Sequence, residues 1–202
     1  MAETCLPLIL ASASPRRKEI LEEHGFSPFV MPSYVDEILP EGACFTPEQT
    51  TIYLAELKAN TVFNGLDPKD WPEGCMVLGV DTIVYKDRII GKPEDEADAL
   101  YILRSLKNDK HEVVSGVCLI IAKPMESELK IIETHSFSDT TMVRFGDYTD
   151  EEILTYIRDN PPYDQSGSYA IQSDWGRHAL EIDGDIQNVI GLPYEKLSIY
   201  LK

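Results

Sequence analysis

The sequence has few positive charges for its length. Its 202 residues carry 35 acidic side chains against 18 Lys or Arg, which gives a formal net charge of −17. A protein that binds a nucleic-acid backbone needs a basic face, so this charge argues against a nucleic acid polymer as the partner. It does not exclude a small anionic substrate, because a few cations concentrated at one site suffice to bind one.

Long apolar runs are also missing. No run reaches the roughly 18 residues that a membrane-spanning helix needs. Residues 1–6 lack the basic and apolar parts of a signal peptide. We therefore expect a cytoplasmic protein that has no membrane partner. A chain of 202 residues is long enough to bury a substantial core, and we expect one domain over residues 1–202 without a separable linker.

The four cysteines, Cys5, Cys44, Cys75 and Cys118, are scattered and form no C-x-x-C pair. We expect them to be buried thiols in a reducing compartment rather than disulfides or zinc ligands. The four histidines show no ligand spacing either. Walker A, G-x-G-x-x-G and G-x-S-x-G motifs are absent, which argues against P-loop, Rossmann and nucleophile-elbow sites.

The segment Leu8–Gly25 is what stands out. It predicts a strand, a serine-rich turn and a helix, with Ser14 as the N-cap and a proline at the first helical position. Arg16 and Arg17 then fall in the first helical turn, where the helix dipole favours anions. Two interpretations fit. One is a phosphate cradle built from N–H groups, Ser12 and the arginines. The other is a solvated basic turn with an ordinary serine cap.

Local patterns predict the remaining elements. Capping boxes at Thr46 and Thr149 each open a helix. The acidic residues 94–96 open another helix, which runs to about Leu106 and agrees with the helix dipole. A last helix is expected after residues 188–193. Strands are predicted over residues 8–11, 26–31, 76–80, 83–85, 88–90, 111–122, 129–145, 169–172 and 179–182. Because strand–helix alternation is followed by a run of strands, a mixed α/β sheet is predicted.

The candidate functional residues lie at the ends of these elements. The apolar run 76–80 predicts a strand covered on both faces, and Asp81 follows it. Ligands of open α/β sheets gather beyond the carboxyl ends of strands, so Asp81 is a candidate site residue. The alternative is that it caps a turn. Loops with Glu37 and Lys92 are further candidates, joined by Lys58 and Gln172.

Together these residues suit one kind of chemistry. The cations can bind phosphates, and the carboxylates can hold a hard metal ion or activate a water molecule. Mg²⁺ is usually held by one or two carboxylates together with substrate phosphate oxygens. Hydrolysis of a phosphoanhydride fits this set, because positioning and electrostatics supply most of its catalysis.

The blocks LASASPRRKEIL, Asp36-Glu37, LAELKA, LGVDTIV, GKP, SGV, YAIQ and NVIGLP occur in this order and resemble the Maf family of septum-formation protein homologues. The resemblance runs from about Leu8 to the C-terminus. It implies a nucleoside triphosphate pyrophosphatase that cleaves between the α- and β-phosphates with a divalent metal, Mg²⁺ or Mn²⁺. It also implies an elongated mixed sheet flanked by helices, with two lobes around a cleft, similar to inosine triphosphate pyrophosphatases. Members are commonly cytoplasmic homodimers.

The resemblance implies a role for each candidate residue. Asp81 matches the proton acceptor, and Glu37 and Asp81 match metal-binding acids. The phosphate-binding positions are Ser12, Arg16, Arg17, Lys58 and Lys92. Arg16, Thr82 and Gln172 match positions that set substrate specificity, and their identities resemble the type that acts on dTTP and UTP rather than on 7-methyl-GTP. A glutamine amide can donate and accept at a pyrimidine edge at once.

The sequence departs from the family pattern at two positions. Gln165 replaces a lysine that the family often has, and Ser173 replaces a glycine. Two other functions stay open: a non-catalytic nucleotide-binding regulator of cell division, and a pyrophosphatase for modified purine triphosphates. Asp81 argues against the regulator, because a binding protein needs no general base.

Overall fold

A mixed seven-stranded sheet flanked by helices forms the frame of the protein. The structure is a computed structural model and describes residues 6–201, so that Cys5 lies outside the described residues. The strands are β1 Leu8–Leu10, β2 Phe29–Val30, β3 Cys75–Lys86, β4 Arg88–Ile90, β5 Lys110–Met125, β6 Glu128–Phe145 and β7 Ala179–Asp183. The α-helices are α1 Pro15–Glu23, α2 Pro47–Asn64, α3 Glu96–Leu106, α4 Asp150–Asp159, α5 Ile186–Ile190 and α6 Tyr194–Leu197.

The sheet has the strand order β2-β1-β3-β5-β6-β7, with β4 also paired to β3. β1 runs parallel to β2 and β3, and every other pair is antiparallel. The long strands β3, β5 and β6 give the sheet its elongated form. The predicted mixed α/β fold is therefore confirmed.

One edge of β3 is only partly paired. On that edge β1 pairs with Met76–Leu78 and β4 pairs with Val84–Lys86. Among the described strands, residues 79–83 are thus paired on the β5 side alone. The prediction that the strand ends before Asp81 is wrong, because pairing with β5 carries β3 through to Lys86.

Side chains of β3 alternate between the two faces of the sheet. Val77 belongs to a buried cluster with Ala55 and Ala59 of α2. Met76, Leu78 and Val80 belong to a second cluster that contains side chains of α1 and α6. A third core, rich in aromatic residues, forms at the other end of β3 against α3 and α4.

Three local predictions need correction. The strand predicted over residues 26–31 is confined to Phe29–Val30. Residues 169–172 form a turn, because the Ala170 N–H donates to Tyr156 Oη and the Ser173 N–H donates to Ala170 O, so that no strand partner is used. The last helix, α6, begins after residue 193 as predicted, but the segment before it is not only a turn, because it contains the end of α5. The capping boxes at Thr46 and Thr149 are confirmed.

The described cysteines are free thiols. Cys75 and Cys118 are buried, as expected, and burial raises the pKa of each to about 11. Cys44 is exposed, so the expectation of burial is wrong there, because it lies in the irregular segment before α2. No helix among residues 6–201 is both long and apolar enough to cross a membrane.

Candidate active site

A cleft of about 560 Å³ opens at the stretch of β3 that is paired with β5 alone. All nine residues that the sequence analysis singled out line it: Ser12, Arg16, Arg17, Glu37, Lys58, Asp81, Thr82, Lys92 and Gln172. The gap between β1 and β4 explains the position, because it exposes both faces of β3 to one cavity. Asp81 and Thr82 are consecutive in β3, so they point to opposite faces.

On the α2 face, a lysine lies between two carboxylates. Lys58 Nζ donates to Asp81 Oδ1 at 2.6 Å and lies 2.9 Å from Glu37 Oε1. The side chains of Lys58 and Asp81 are each 9% exposed, whereas that of Glu37 is 47% exposed. Small residues, Ala55 and Ala59, let α2 approach β3 closely and so bring Lys58 onto Asp81. Two carboxylates against one ammonium leave this face with net negative charge.

These two carboxylates fit a divalent cation. One oxygen of each carboxylate contacts the Lys58 ammonium, and within residues 6–201 the other oxygen of each accepts no hydrogen bond, which leaves it available to a cation. Residues 6–201 contain no group of three or more Asp, Glu, His or Cys side chains that could hold a metal alone. A Mg²⁺ or Mn²⁺ ion held by Glu37 and Asp81 would therefore take its remaining ligands from substrate and water, as Mg²⁺ commonly does.

On the opposite face, Arg17 is held by neutral acceptors. Its Nε donates to Gly191 O at 2.9 Å, Nη1 to Ser12 Oγ at 2.8 Å and Nη2 to Thr82 Oγ1 at 3.1 Å. Burial lowers the pKa of Arg17 to about 10, although the charge of Asp81 opposes this shift. The guanidinium therefore stays cationic at neutral pH, and no carboxylate among residues 6–201 is hydrogen-bonded to it.

The start of α1 differs in one respect from the prediction. Ser14 is the N-cap and Pro15 the first helical residue, but the Ser14 side chain makes no capping hydrogen bond. The backbone N–H of Ser14 donates to Ser12 Oγ at 3.2 Å. Ser12 Oγ therefore accepts hydrogen bonds from both the Ser14 N–H and Arg17 Nη1. The bond from Arg17 holds its guanidinium in the cleft rather than in solvent.

The neighbouring Arg16 has a different environment. Its Nη1 donates to Asp164 Oδ2 at 3.0 Å, and this pair joins α1 to the loop after α4 across the cleft. Lys92 and Gln172 are exposed at the cleft wall. Within residues 6–201 their side chains make no hydrogen bond or ion pair.

The two departures from the family pattern lie in one loop region. Gln165 Oε1 accepts from Tyr156 Oη at 3.4 Å, and the next residue, Ser166, donates from Oγ to Thr82 O at 3.1 Å. Ser173 Oγ accepts from the Trp175 N–H at 3.2 Å and donates to Ala170 O at 2.7 Å. Ser173 thus shapes the turn that follows Gln172.

Sequence reasoning missed four contributors to this cleft. Asp164 and the Gly191 carbonyl bind the two arginines. The Ser115 hydroxyl lies 2.9 Å from Thr82 Oγ1, and Asn188 Nδ2 ties α5 to β5 by donating to Val113 O at 3.0 Å. Three of them, Ser115, Asn188 and Gly191, belong to the SGV and NVIGLP blocks. No local sequence pattern, however, shows which atoms form the hydrogen bonds.

The family model described as Maf-like protein matches residues 7–202. Three relatives are each named dTTP/UTP pyrophosphatase. The Bacillus cereus (strain ATCC 10987 / NRS 248) protein is 40% identical over 201 residues, 99% of this chain and 91% of its own. The Caldicellulosiruptor bescii protein is 38% identical, covering 96% and 93%. The Lachnoclostridium phytofermentans protein is 36% identical, covering 94% and 91%. The chain therefore belongs to the Maf family.

Proposed function

We propose that the protein is a nucleoside triphosphate pyrophosphatase that hydrolyses the α–β phosphoanhydride of dTTP and UTP to the monophosphate and pyrophosphate. One observation carries the proposal. The Asp81 carboxylate lies on one face of β3 and the Arg17 guanidinium, held by neutral acceptors, lies on the other, and both line the same cleft. The names of the three relatives support the same activity and the same nucleotides.

In this reaction Asp81 accepts the proton of the attacking water. The water oxygen bonds to a phosphorus of the α–β bridge, and the bond from that phosphorus to the bridging oxygen breaks. Lys58 holds the Asp81 carboxylate in place through the 2.6 Å hydrogen bond. Mg²⁺ or Mn²⁺, held by Glu37 and Asp81, would neutralise charge on the phosphate oxygens.

The phosphate chain is bound by the cationic side of the cleft. Arg17 uses three of its N–H groups on the protein, and its two remaining N–H groups are available to phosphate oxygens. Arg16, Lys92 and Ser12 contribute further donors. Gln172 offers an amide that is not hydrogen-bonded within residues 6–201, and it can donate to and accept from a uracil or thymine edge.

The cytoplasmic location and the homodimer are part of the same proposal. The resemblance of the whole chain to the Maf family supports both. Size-exclusion chromatography with light scattering measures the homodimer directly.

The test is pyrophosphate release from a nucleotide panel with Mg²⁺, with Mn²⁺ and with a chelator. We expect release from dTTP and UTP that needs the metal. Asp81→Asn should lower kcat by about 10²- to 10⁴-fold, because it removes the general base. Asp159→Asn is the matched control, since Asp159 is exposed and lies outside the cleft.

The other outcomes each select an alternative. Release confined to inosine triphosphate or 7-methyl-GTP would keep the chemistry and overturn the nucleotide assignment. Nucleotide binding without turnover in any metal would contradict the enzyme and favour the non-catalytic regulator. Full activity in the presence of the chelator would contradict the proposed requirement for a metal ion.

A further inference from the structure

Tyr34 lies on the cleft wall and is almost fully exposed. It lines the cavity, and at 91% it has the largest exposed fraction of the exposed large hydrophobic side chains in residues 6–201. The other aromatic residue of the cavity wall, Tyr169, is 6% exposed, and its Oη lies 2.8 Å from His111 Nε2. Among the described residues of the cleft, Tyr34 is therefore the one aromatic ring that is open to solvent.

The backbone at Tyr34 adopts an uncommon conformation. Its φ is +45°, in the left-handed region that a bulky side chain rarely enters. Such strain persists where the surrounding structure imposes it, and it is concentrated at ligand-binding sites. On one side of Tyr34, the Met31 N–H donates to Leu10 O at 3.0 Å. On the other side, Glu37 Oε1 lies 2.9 Å from Lys58 Nζ. These two anchors hold Tyr34 at the cleft.

Between the two anchors, the segment can adjust to a ligand. Within the described chain, residues 32–35 form no hydrogen bond. Glu37 contacts Lys58, which donates to Asp81, so this end of the segment lies where the proposed function places the reacting phosphates. Three residues of extended chain span about 10 Å at most, so Tyr34 lies within that distance of Glu37. A nucleotide that extends from Asp81 toward the open side of the cleft therefore brings its base within reach of Tyr34.

The two parts of a nucleotide need different partners. Cations bind the phosphates, and the cleft supplies them from Arg16, Arg17 and Lys92. The base is a flat ring whose faces stack on aromatic side chains, and this contact does not depend on the identity of the base. A tyrosine offers a large contact area with few rotatable bonds, so little conformational entropy is lost on stacking.

We infer that Tyr34 is a substrate-binding residue whose ring stacks on the nucleobase at the open side of the cleft. This inference rests on the proposed function in taking a nucleoside triphosphate as the ligand. It gives Tyr34 a role in affinity for the base and none in the choice between bases, because every base has a π face.

The test compares dTTP with inorganic tripolyphosphate, which has three linked phosphates and no base. Calorimetry in a chelator measures binding of each ligand to wild type, Tyr34→Ala and Tyr34→Phe. Tyr101→Ala is the matched control, because Tyr101 is 57% exposed on α3 and does not line the cleft. Thermal unfolding checks that each variant is folded.

We expect Tyr34→Ala to weaken dTTP about tenfold, because a stacking contact is lost, and to leave tripolyphosphate within about twofold. Tyr34→Phe should keep the affinity of wild type, since the ring and not the hydroxyl makes the contact. Tyr101→Ala should change neither ligand. In turnover assays, Tyr34→Ala should raise KM for dTTP and UTP by the same factor as it weakens dTTP, with kcat within about twofold of wild type, because stacking holds ground state and transition state alike.

Several results would overturn the inference. Unchanged dTTP affinity in Tyr34→Ala would show that the ring makes no contact with the base. Equal weakening of dTTP and tripolyphosphate would show that Tyr34 acts on the phosphates. A loss in Tyr34→Phe as large as in Tyr34→Ala would assign the contact to the hydroxyl, and failure of wild type to bind dTTP would remove it altogether.

The same data separate this inference from the proposed function. If Tyr34→Ala weakens dTTP alone but wild type hydrolyses no nucleotide, the proposed function fails and the stacking role stands. If wild type hydrolyses dTTP and Tyr34→Ala binds it unchanged, the stacking role fails and the proposed function stands.

Discussion

Asp81 and Thr82 are neighbours in one strand, yet their side chains enter opposite electrostatic environments. On the α2 face, the carboxylates of Asp81 and Glu37 both contact the Lys58 ammonium. On the other face, Thr82 helps neutral groups to hold the Arg17 guanidinium. The first face retains net negative charge and the second net positive charge. Strand alternation thus places a net negative cluster and a net positive cluster on consecutive residues of β3.

The difference shows how charge can be fixed without being cancelled. A carboxylate partner holds an arginine firmly but neutralises it, as Asp164 does for Arg16. Hydroxyl and carbonyl partners hold Arg17 through three hydrogen bonds and do not neutralise its charge. On the α2 face the Lys58 ammonium instead pairs directly with the carboxylate of Asp81, whose side chain is 9% exposed.

The largest expected effect concerns Arg17, the cation that faces the phosphate chain. Arg17→Gln should lower kcat/KM for dTTP by about 10³-fold, because two charge-assisted hydrogen bonds to phosphate are lost. Arg16→Gln should lower kcat/KM for dTTP by only about tenfold, since Arg16 must break its bond to Asp164 before it can bind an anion. Steady-state kinetics of both variants measure the difference. Equal losses in the two variants would show that neutral anchoring gives Arg17 no advantage.

The second prediction concerns the Lys58–Asp81 ion pair on the α2 face. Lys58→Met should lower the free energy of unfolding by about 3 kcal/mol, because it leaves the largely buried Asp81 carboxylate without its partner. Urea unfolding measures this loss. Lys18→Met is the matched control: Lys18 forms an exposed pair with Glu22 at 3.2 Å, and its loss should cost less than about 0.5 kcal/mol.

A double variant sharpens this second test. Lys58→Met combined with Asp81→Asn should be more stable than Lys58→Met alone, because no unpaired buried charge remains. A double variant less stable than the single one would show that the two side chains do not compensate each other.

Local sequence patterns predicted much of the fold because its signals are local. The capping boxes at Thr46 and Thr149 lie within one helical turn, and both helices begin there. The continuation of β3 past Asp81 was not predictable in this way, because it depends on the pairing of Asp81 with Gly116, far along the chain. The turn at residues 169–172 likewise depends on a side chain of α4, Tyr156.

The site was predictable as a set of residues but not as a set of contacts. The motif blocks, together with the loop that contains Glu37, named nine of the side chains that line the cleft. They could not show that Arg16 meets a carboxylate while Arg17 meets the Gly191 carbonyl, because the two arginines are adjacent in sequence and their acceptors lie far from them. Ser115 escaped for the same reason, since a buried serine in a strand carries no local signature of its partner.

The smallest predicted effect concerns a titratable group on the Arg17 face. His111 lies four residues before Ser115 in β5, hence on the same face, and is 2% exposed. Its Nε2 lies 2.8 Å from Tyr169 Oη, and Tyr169 lines the cleft. Burial, with a smaller effect from Lys86, lowers the pKa of His111 from 6.5 to about 4. This face therefore holds His111 neutral.

The sign of the pH effect follows from the proton count. Between about pH 6.5 and pH 4, the unfolded chain binds a proton at His111 and the folded protein does not, so stability falls as the pH falls. From pH 7 to pH 5 this group should remove about 2 kcal/mol. Urea unfolding of His111→Gln against wild type isolates that part, and His135→Gln, on the more exposed β6, is the control. Parallel curves for wild type and His111→Gln would mean that His111 is protonated in the folded protein, so that the Arg17 face accepts a second cation.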